Sequence, residues 1–186
     1  MIMATVPLLD AEDLPAQSQA IFAAVIDEYG FVPNILRAMA HCPDLLETFV
    51  PFWGQVYRSP VIGERLRALA ALGTAKAQDC TYCVAHMTAS ARRAGIGENE
   101  ILAVGNMALE ESTFERREAL ILELADTLTK DPDAVSDELR EKLRAALSDS
   151  ELVNVVVAIG MYNLTSRFLK SLKIDVEDIF SAPAHT

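Results

Sequence analysis

Apolar residues recur along this chain at helical spacing, and no convincing run alternates apolar and polar positions between turn residues as a half-buried strand would. That pattern restricts the fold to the all-α class. Start and stop signals divide it into helices. Leu14 to Tyr29 reads as a first helix, with Asp13 near its start, Pro15 in the first turn and Gly30 at its end. Asn34 is positioned to cap a short helix through Ala40. Pro43 opens a helix to about Tyr57, bent or interrupted at Pro51. Glu64 to Ala77 is apolar on nearly every side, which suits a core or a subunit interface. A further helix is predicted from Asp79 to about Arg93, stopped at Gly95, and a short one between Gly97 and Gly105. Ser112 to Glu115 and Ser148 to Glu151 fit capping boxes. They precede amphipathic helices over Glu115–Thr129 and Glu151–Leu172, with Ser136–Leu147 between them. The tail Ser181 to Thr186 is expected to fray.

With no repeat and no low-complexity linker, 186 residues are expected to form one domain, residues 1–186. The net charge of −11 and the lack of basic clusters argue against a nucleic-acid or membrane-surface partner. The longest apolar stretch, Leu152 to Leu164, includes Asn154 and Asn163 and falls short of the roughly 20 residues a bilayer requires. No secretory leader pattern begins the sequence, so a cytoplasmic protein is expected.

Three cysteines, Cys42, Cys80 and Cys83, do not make a structural disulfide framework. Cys80 and Cys83 are spaced to share one face of a helix, and a disulfide across that spacing is feasible at a helix end. With Asp79 as N-cap, Cys80 would stand in the first turn, where unpaired N–H groups and the helix dipole favour a thiolate. The thiolate is the nucleophile toward peroxide or disulfide, and the second cysteine resolves the product. His86, one turn after Cys83, is the candidate proton acceptor or donor. Two other readings compete: buried inert cysteines, and a structural zinc site, for which Cys80, Cys83 and His86 supply three ligands where about four are usual. No flavin or haem motif is present, so neither a bound cofactor nor a metal is expected.

The segment Cys80-Thr81-Tyr82-Cys83-Val84-Ala85-His86, preceded by an apolar small-residue helix with Arg67, resembles the core motif of the carboxymuconolactone decarboxylase and AhpD-like proteins, in particular their peroxidase-related subgroup. Softer likenesses are Gly30 to Asn34, the Pro43 helix start, and Ser148 to Arg167 with Asn163 and Arg167 one turn apart. The resemblance implies an AhpD-like helical domain with the cysteine pair at a helix N-terminus. It implies a hydroperoxide or other small-molecule substrate and a separate dithiol reductant. It also implies a homo-oligomer: dimer, trimer or hexamer. In such proteins a Glu and a His relay protons to the cysteine nearer the helix interior, here Cys83. The Glu position is Ala68 in this chain and the His position is Met87. Glu64, one turn before Ala68, is the candidate replacement; Asp79 and Lys76 are the other charges near the pair, with opposite effects on a thiolate.

Around Cys80, Cys83 and His86, the possible lining residues are Tyr82, Met87, Glu64, Asn163 and Arg167. Trp53 and Tyr57, four apart on a helix, read as packing residues; Asn163 and Arg167 read as structural before catalytic. His41 beside Cys42 reads as a surface or capping residue, and His185 in the tail reads as idle. The Glu64–Ala77 helix suggests oligomerisation, since one small domain has limited means to bury it. The expected function is a thiol peroxidase or disulfide reductase in antioxidant defence. The alternatives are a non-catalytic or redox-sensing family member, and a lactone decarboxylase.

Overall fold

The computed structural model describes residues 4–106 and 113–181. Among the described residues every regular element is helical. The longer elements are α1 (Ala16–Tyr29), α2 (Asn34–Met39), α3 (Pro43–Tyr57), α4 (Gly63–Ala77) and α5 (Thr81–Arg93). They continue with α6 (Glu98–Ala103), α7 (Arg116–Lys130), α8 (Asp137–Ala146), α9 (Asp149–Leu172) and α10 (Asp178–Ser181). Short 3₁₀ turns occur at Ala11–Asp13 and Pro132–Ala134. The predicted helices are present, most within two residues of their expected ends. Pro51 lies inside α3 without ending it. Ser148 and Glu151 form the reciprocal capping bonds at the start of α9, and Ser136 caps α8 through the Leu139 N–H. Ser112, His185 and the tail beyond Ser181 lie outside the described residues. The helix α10 carries no expectation from periodicity, being only four residues long.

The chain divides into two compact units, residues 1–55 with 167–186 and residues 56–166. In the first, the segment after α9 is tied to α2. Asn34 donates its backbone N–H to Glu177 and its amide to the Asp175 carbonyl. Asn34 is thus the first residue of α2, following Pro33, and not its cap. Its side chain is used by a partner about 140 residues away in sequence, which local pattern cannot reveal. The Thr5 N–H donates to the Leu172 carbonyl, Arg37 pairs with Asp10 at 2.7 Å, and Trp53 packs against Tyr29.

The second unit is organised on α4, which packs most extensively on α7 and α5. Residues 68–75 are buried without interruption. One apolar cluster joins Ala70 to Ile121, Leu124, Leu143 and Ile159; another joins Ala68, Leu69 and Leu72 to Ala91, Ile101 and Leu122. Gly73 sits where α4 crosses α7: a Cβ there would meet Leu122 at 3.1 Å and Ala125 at 3.2 Å. A side chain would push the helices apart, so the close approach requires glycine. The apolar composition of α4 is therefore used within its own unit, and that composition by itself does not call for a partner chain. At the N-terminal end of α4, Arg65 donates to Glu118 of α7 at 2.6 Å and to Glu100 of α6 at 2.5 Å. The guanidinium and the Gly97 N–H together hold the Glu100 carboxyl below the usual carboxylate range.

The helix α9 has the length and composition of a bilayer-crossing helix, but half of its most apolar window is buried in the fold. Its accessible face retains Val153, Val156, Val157 and Leu164.

Candidate redox site

The exit from α4 and the entry to α5 share one residue. Asp79 adopts the left-handed conformation, φ 49°. Its N–H donates to the Lys76 carbonyl and the Cys80 N–H donates to the Ala75 carbonyl. This is the Schellman pattern, which satisfies the last carbonyls of a helix and turns the chain sharply. Aspartate is one of the few non-glycine residues that tolerates the left-handed region. The N-cap of α5 is consequently Cys80 and not Asp79: the residue expected to start α5 is committed to ending α4. The Cys80 sulfur accepts the Cys83 N–H at 3.2 Å, taking the place a serine or aspartate oxygen usually holds. The expectation of sulfur at the positive tip of a helix is thereby met more directly than sequence implied, because the sulfur is itself the cap.

Cys80 and Cys83 are joined in a disulfide with their Cα atoms 5.2 Å apart. Both residues are buried, 2% and 5% exposed, so any reagent reaching them must be small or must find the helix start partly open. Cys42 is exposed and unpaired with another cysteine. Cys83 Sγ lies 3.1 Å from the hydroxyl of Ser166, which is fully buried on α9.

A second polar link runs from α9 to the same turn. Gln78 donates to the Asn163 carbonyl oxygen, while the Asn163 amide donates to Thr129 Oγ1 and to the Ile159 carbonyl, each at 3.1 Å. Asn163, a candidate lining residue, therefore braces the residue two places before Cys80. Asn163 and Ser166, one turn apart, give α9 two points of attachment to the Gln78–Cys83 turn. Ser166 escaped the sequence reading because a serine 83 positions away, inside a helix, carries no local signature. The available signal was its spacing of three from Asn163.

The other candidates are distributed as follows. Tyr82 is buried and its ring stacks on His86, with centroids 4.4 Å apart. Met87 packs against the apolar cluster that contains Ala68. The two positions where the resemblance implies Glu and His thus belong to one apolar cluster, and neither places a charge there. Glu64 is exposed in the first turn of α4. Lys76 directs its ammonium to the carbonyls of Ile101 at 2.5 Å and Val104 at 2.7 Å, the C-terminal end of α6. Arg167 is exposed on the part of α9 assigned to the first unit. Tyr57 donates or accepts with Ser90 at 3.3 Å and accepts from Arg93 at 2.9 Å, and Arg67 lies over its ring. Among the described residues, no group of three or more His, Cys, Asp or Glu side chains is arranged to hold a metal ion.

An all-helical fold with a CxxC-spaced disulfide at the start of a helix is the AhpD-like fold. Residues 43–126 match the carboxymuconolactone decarboxylase family. The chain is 26% identical over 157 residues to the uncharacterized protein YnjA of Escherichia coli (strain K12), covering 83% of this chain and 85% of that protein. Its fold is that of an uncharacterized peroxidase-related protein from Silicibacter sp. TM1040, with TM-score 0.80 and 20% identity over 95% of this chain and 93% of the other. It also matches the debrominase Bmp8, solved in a cysteine-to-alanine form in complex with 2,3,4-tribromopyrrole. That match has TM-score 0.81 and 21% identity over 97% of this chain and 95% of the other.

Proposed function

We propose that this protein is a thiol peroxidase or disulfide reductase of the alkylhydroperoxidase type, serving antioxidant defence by cycling Cys80 and Cys83 between dithiol and disulfide. The observation that supports this reading is the bonded pair at the start of α5, with an N–H aimed at one sulfur and a hydroxyl beside the other. A cysteine thiolate attacks the O–O bond of a hydroperoxide; the distal oxygen is transferred to sulfur as sulfenic acid and the alkoxide leaves, taking up a proton. The second thiol displaces water from the sulfenic acid and closes the disulfide. An external dithiol then returns two electrons and two protons by exchange. The resemblance implies attack by Cys83, with Cys80 the alternative, and His86 is the candidate proton carrier.

A hydroperoxide added to the reduced protein should remove two thiols and two hydrogens of mass, with the bond mapping to Cys80–Cys83. Cys83→Ser should abolish that loss, and a dithiol reductant should sustain turnover in the natural chain. Both thiols surviving an excess of oxidant would sink the reading. An aryl bromide belongs in the same assay, since a debrominase shares the fold. Its reduction would yield the arene, bromide, a proton and the same disulfide.

A second reading, a redox-sensing protein without turnover, is favoured by the apolar side chains of Ala68 and Met87 at the positions where a proton relay is implied. It requires the disulfide to form once and slowly; steady turnover excludes it. A lactone decarboxylase would keep its activity with both cysteines replaced. The reading also places the protein in the cytoplasm as a homo-oligomer, supported by the accessible valines and Leu164 on α9. Light scattering should then give a mass at least twice the 20.3 kDa of one chain.

A further inference from the structure

We propose that the Ser166 hydroxyl is the group that sets the acidity of the Cys83 thiol and, through it, the redox equilibrium of the pair. The inference rests on the thiol–disulfide reading above and concerns a residue outside the CxxC segment. Three observations carry it. Ser166 Oγ is 3.1 Å from Cys83 Sγ. Ser166 is wholly buried, so water does not compete for its hydroxyl. The two positions from which a relay to Cys83 is implied, Ala68 and Met87, lie in an apolar cluster and offer neither proton nor charge.

The two sulfurs are therefore served by different donors. Cys80 takes the backbone N–H of Cys83, which no substitution of a side chain removes. Cys83 takes a side-chain hydroxyl from α9, which a substitution can remove. A hydroxyl donating to sulfur stabilises the thiolate over the thiol, lowering the pKa, and stabilises the reduced pair over the disulfide. Burial of the thiolate works in the opposite sense, which makes a dry donor at this atom matter more than it would at a wet surface. The anchoring of α9 by Asn163 to Gln78, one turn away, fixes the hydroxyl against the sulfur. The ionisable groups nearest in sequence to the meeting residues are Lys76, Asp79, Cys80, Tyr82 and His86 around the pair and Tyr162 and Arg167 around Ser166, with Glu64, Arg65, Arg67, Arg92, Arg93, Asp149, Glu151 and Lys170 further along the same helices. All of them remain when Ser166 is changed, so the comparison isolates the hydroxyl.

The test uses the full chain. In a Cys80→Ser background Cys83 titrates free of the coupling between two close thiols. Thiolate absorbance against pH should place the Cys83 pKa about one unit higher when Ser166→Ala is added, the size of one ordinary hydrogen bond. In the chain with both cysteines, Ser166→Ala should shift the glutathione equilibrium about tenfold toward the disulfide at a pH above the Cys83 pKa, about 30 mV for a two-electron couple. Should Ser166→Ala fold poorly, the isosteric pair Ser166→Thr and Ser166→Val repeats the comparison at constant shape. Threonine should keep the low pKa and valine should lose it. A Cys83 pKa and a glutathione equilibrium that ignore the hydroxyl in folded protein would overturn the assignment while leaving the redox reading intact. A pair that never exchanges with glutathione would end the redox reading, and the single-thiol titration would still judge Ser166.

Discussion

The middle of α4 and its exit are held by different physics. From Ala68 to Ala75 the helix is buried in apolar clusters, and Gly73 lets it approach α7 to van der Waals contact. From Gln78 onward, backbone N–H groups, an asparagine, a serine and two sulfurs hold the chain. The contrast separates stability from chemistry. Apolar contacts are worth most per residue but are indifferent to electrons and protons. Hydrogen bonds at sulfur are worth little to the fold as a whole, yet they weigh the two oxidation states differently.

The largest expected effect breaks the apolar side of the comparison. Leu69→Ala should cost about 2–5 kcal/mol, read by denaturant unfolding of the reduced protein. The glutathione equilibrium of Cys80 and Cys83 should stay where it was. A shift in that equilibrium would mean that the core and the turn are not separate. Next comes Asn163→Ala, which strips partners from Gln78 and Thr129 and should cost about 1–3 kcal/mol. Unlike the leucine change, it should also move the glutathione equilibrium, because it releases one of the two attachments of α9 to the cysteine turn. No movement would demote Asn163 to a purely structural residue.

The smallest effect concerns the other end of α4. The folded-state pKa of Glu100 is lowered by Arg65 and the Gly97 N–H, so its stabilisation is fully present above the unfolded pKa of about 4.3. It is lost as pH falls through the lower folded value. Glu100→Gln should flatten the acid limb of the stability profile below about pH 4 and leave thiol chemistry near neutrality unchanged. An acid limb of unaltered slope would show that Arg65 and Glu100 gain nothing in the folded state.

Much of this architecture is legible in the sequence. The chain's helical period, Pro43, Gly30, Gly95 and the Ser148–Glu151 pair mark helices whose ends depend on neighbours within four residues. The cysteine pair is legible for the same reason. What sequence does not reveal is set by choice between competing local roles or by long-range contact. Asp79 is suited both to cap a helix and to turn left-handed, and the need to close α4 decides the matter. Lys76 lies near the cysteines in sequence, but its ammonium goes to the carbonyl end of α6. Ser166 and Asn34 act on partners far along the chain, and periodicity is silent on both.

In the proposed cycle the atom that caps α5 is also a reagent, so the chain would carry its own reporter. Each time the Cys80 sulfur gains or loses charge, the strength with which it holds the Cys83 N–H changes with it. Amide exchange at that single position should therefore read the oxidation state of the pair, with no dye and no added label.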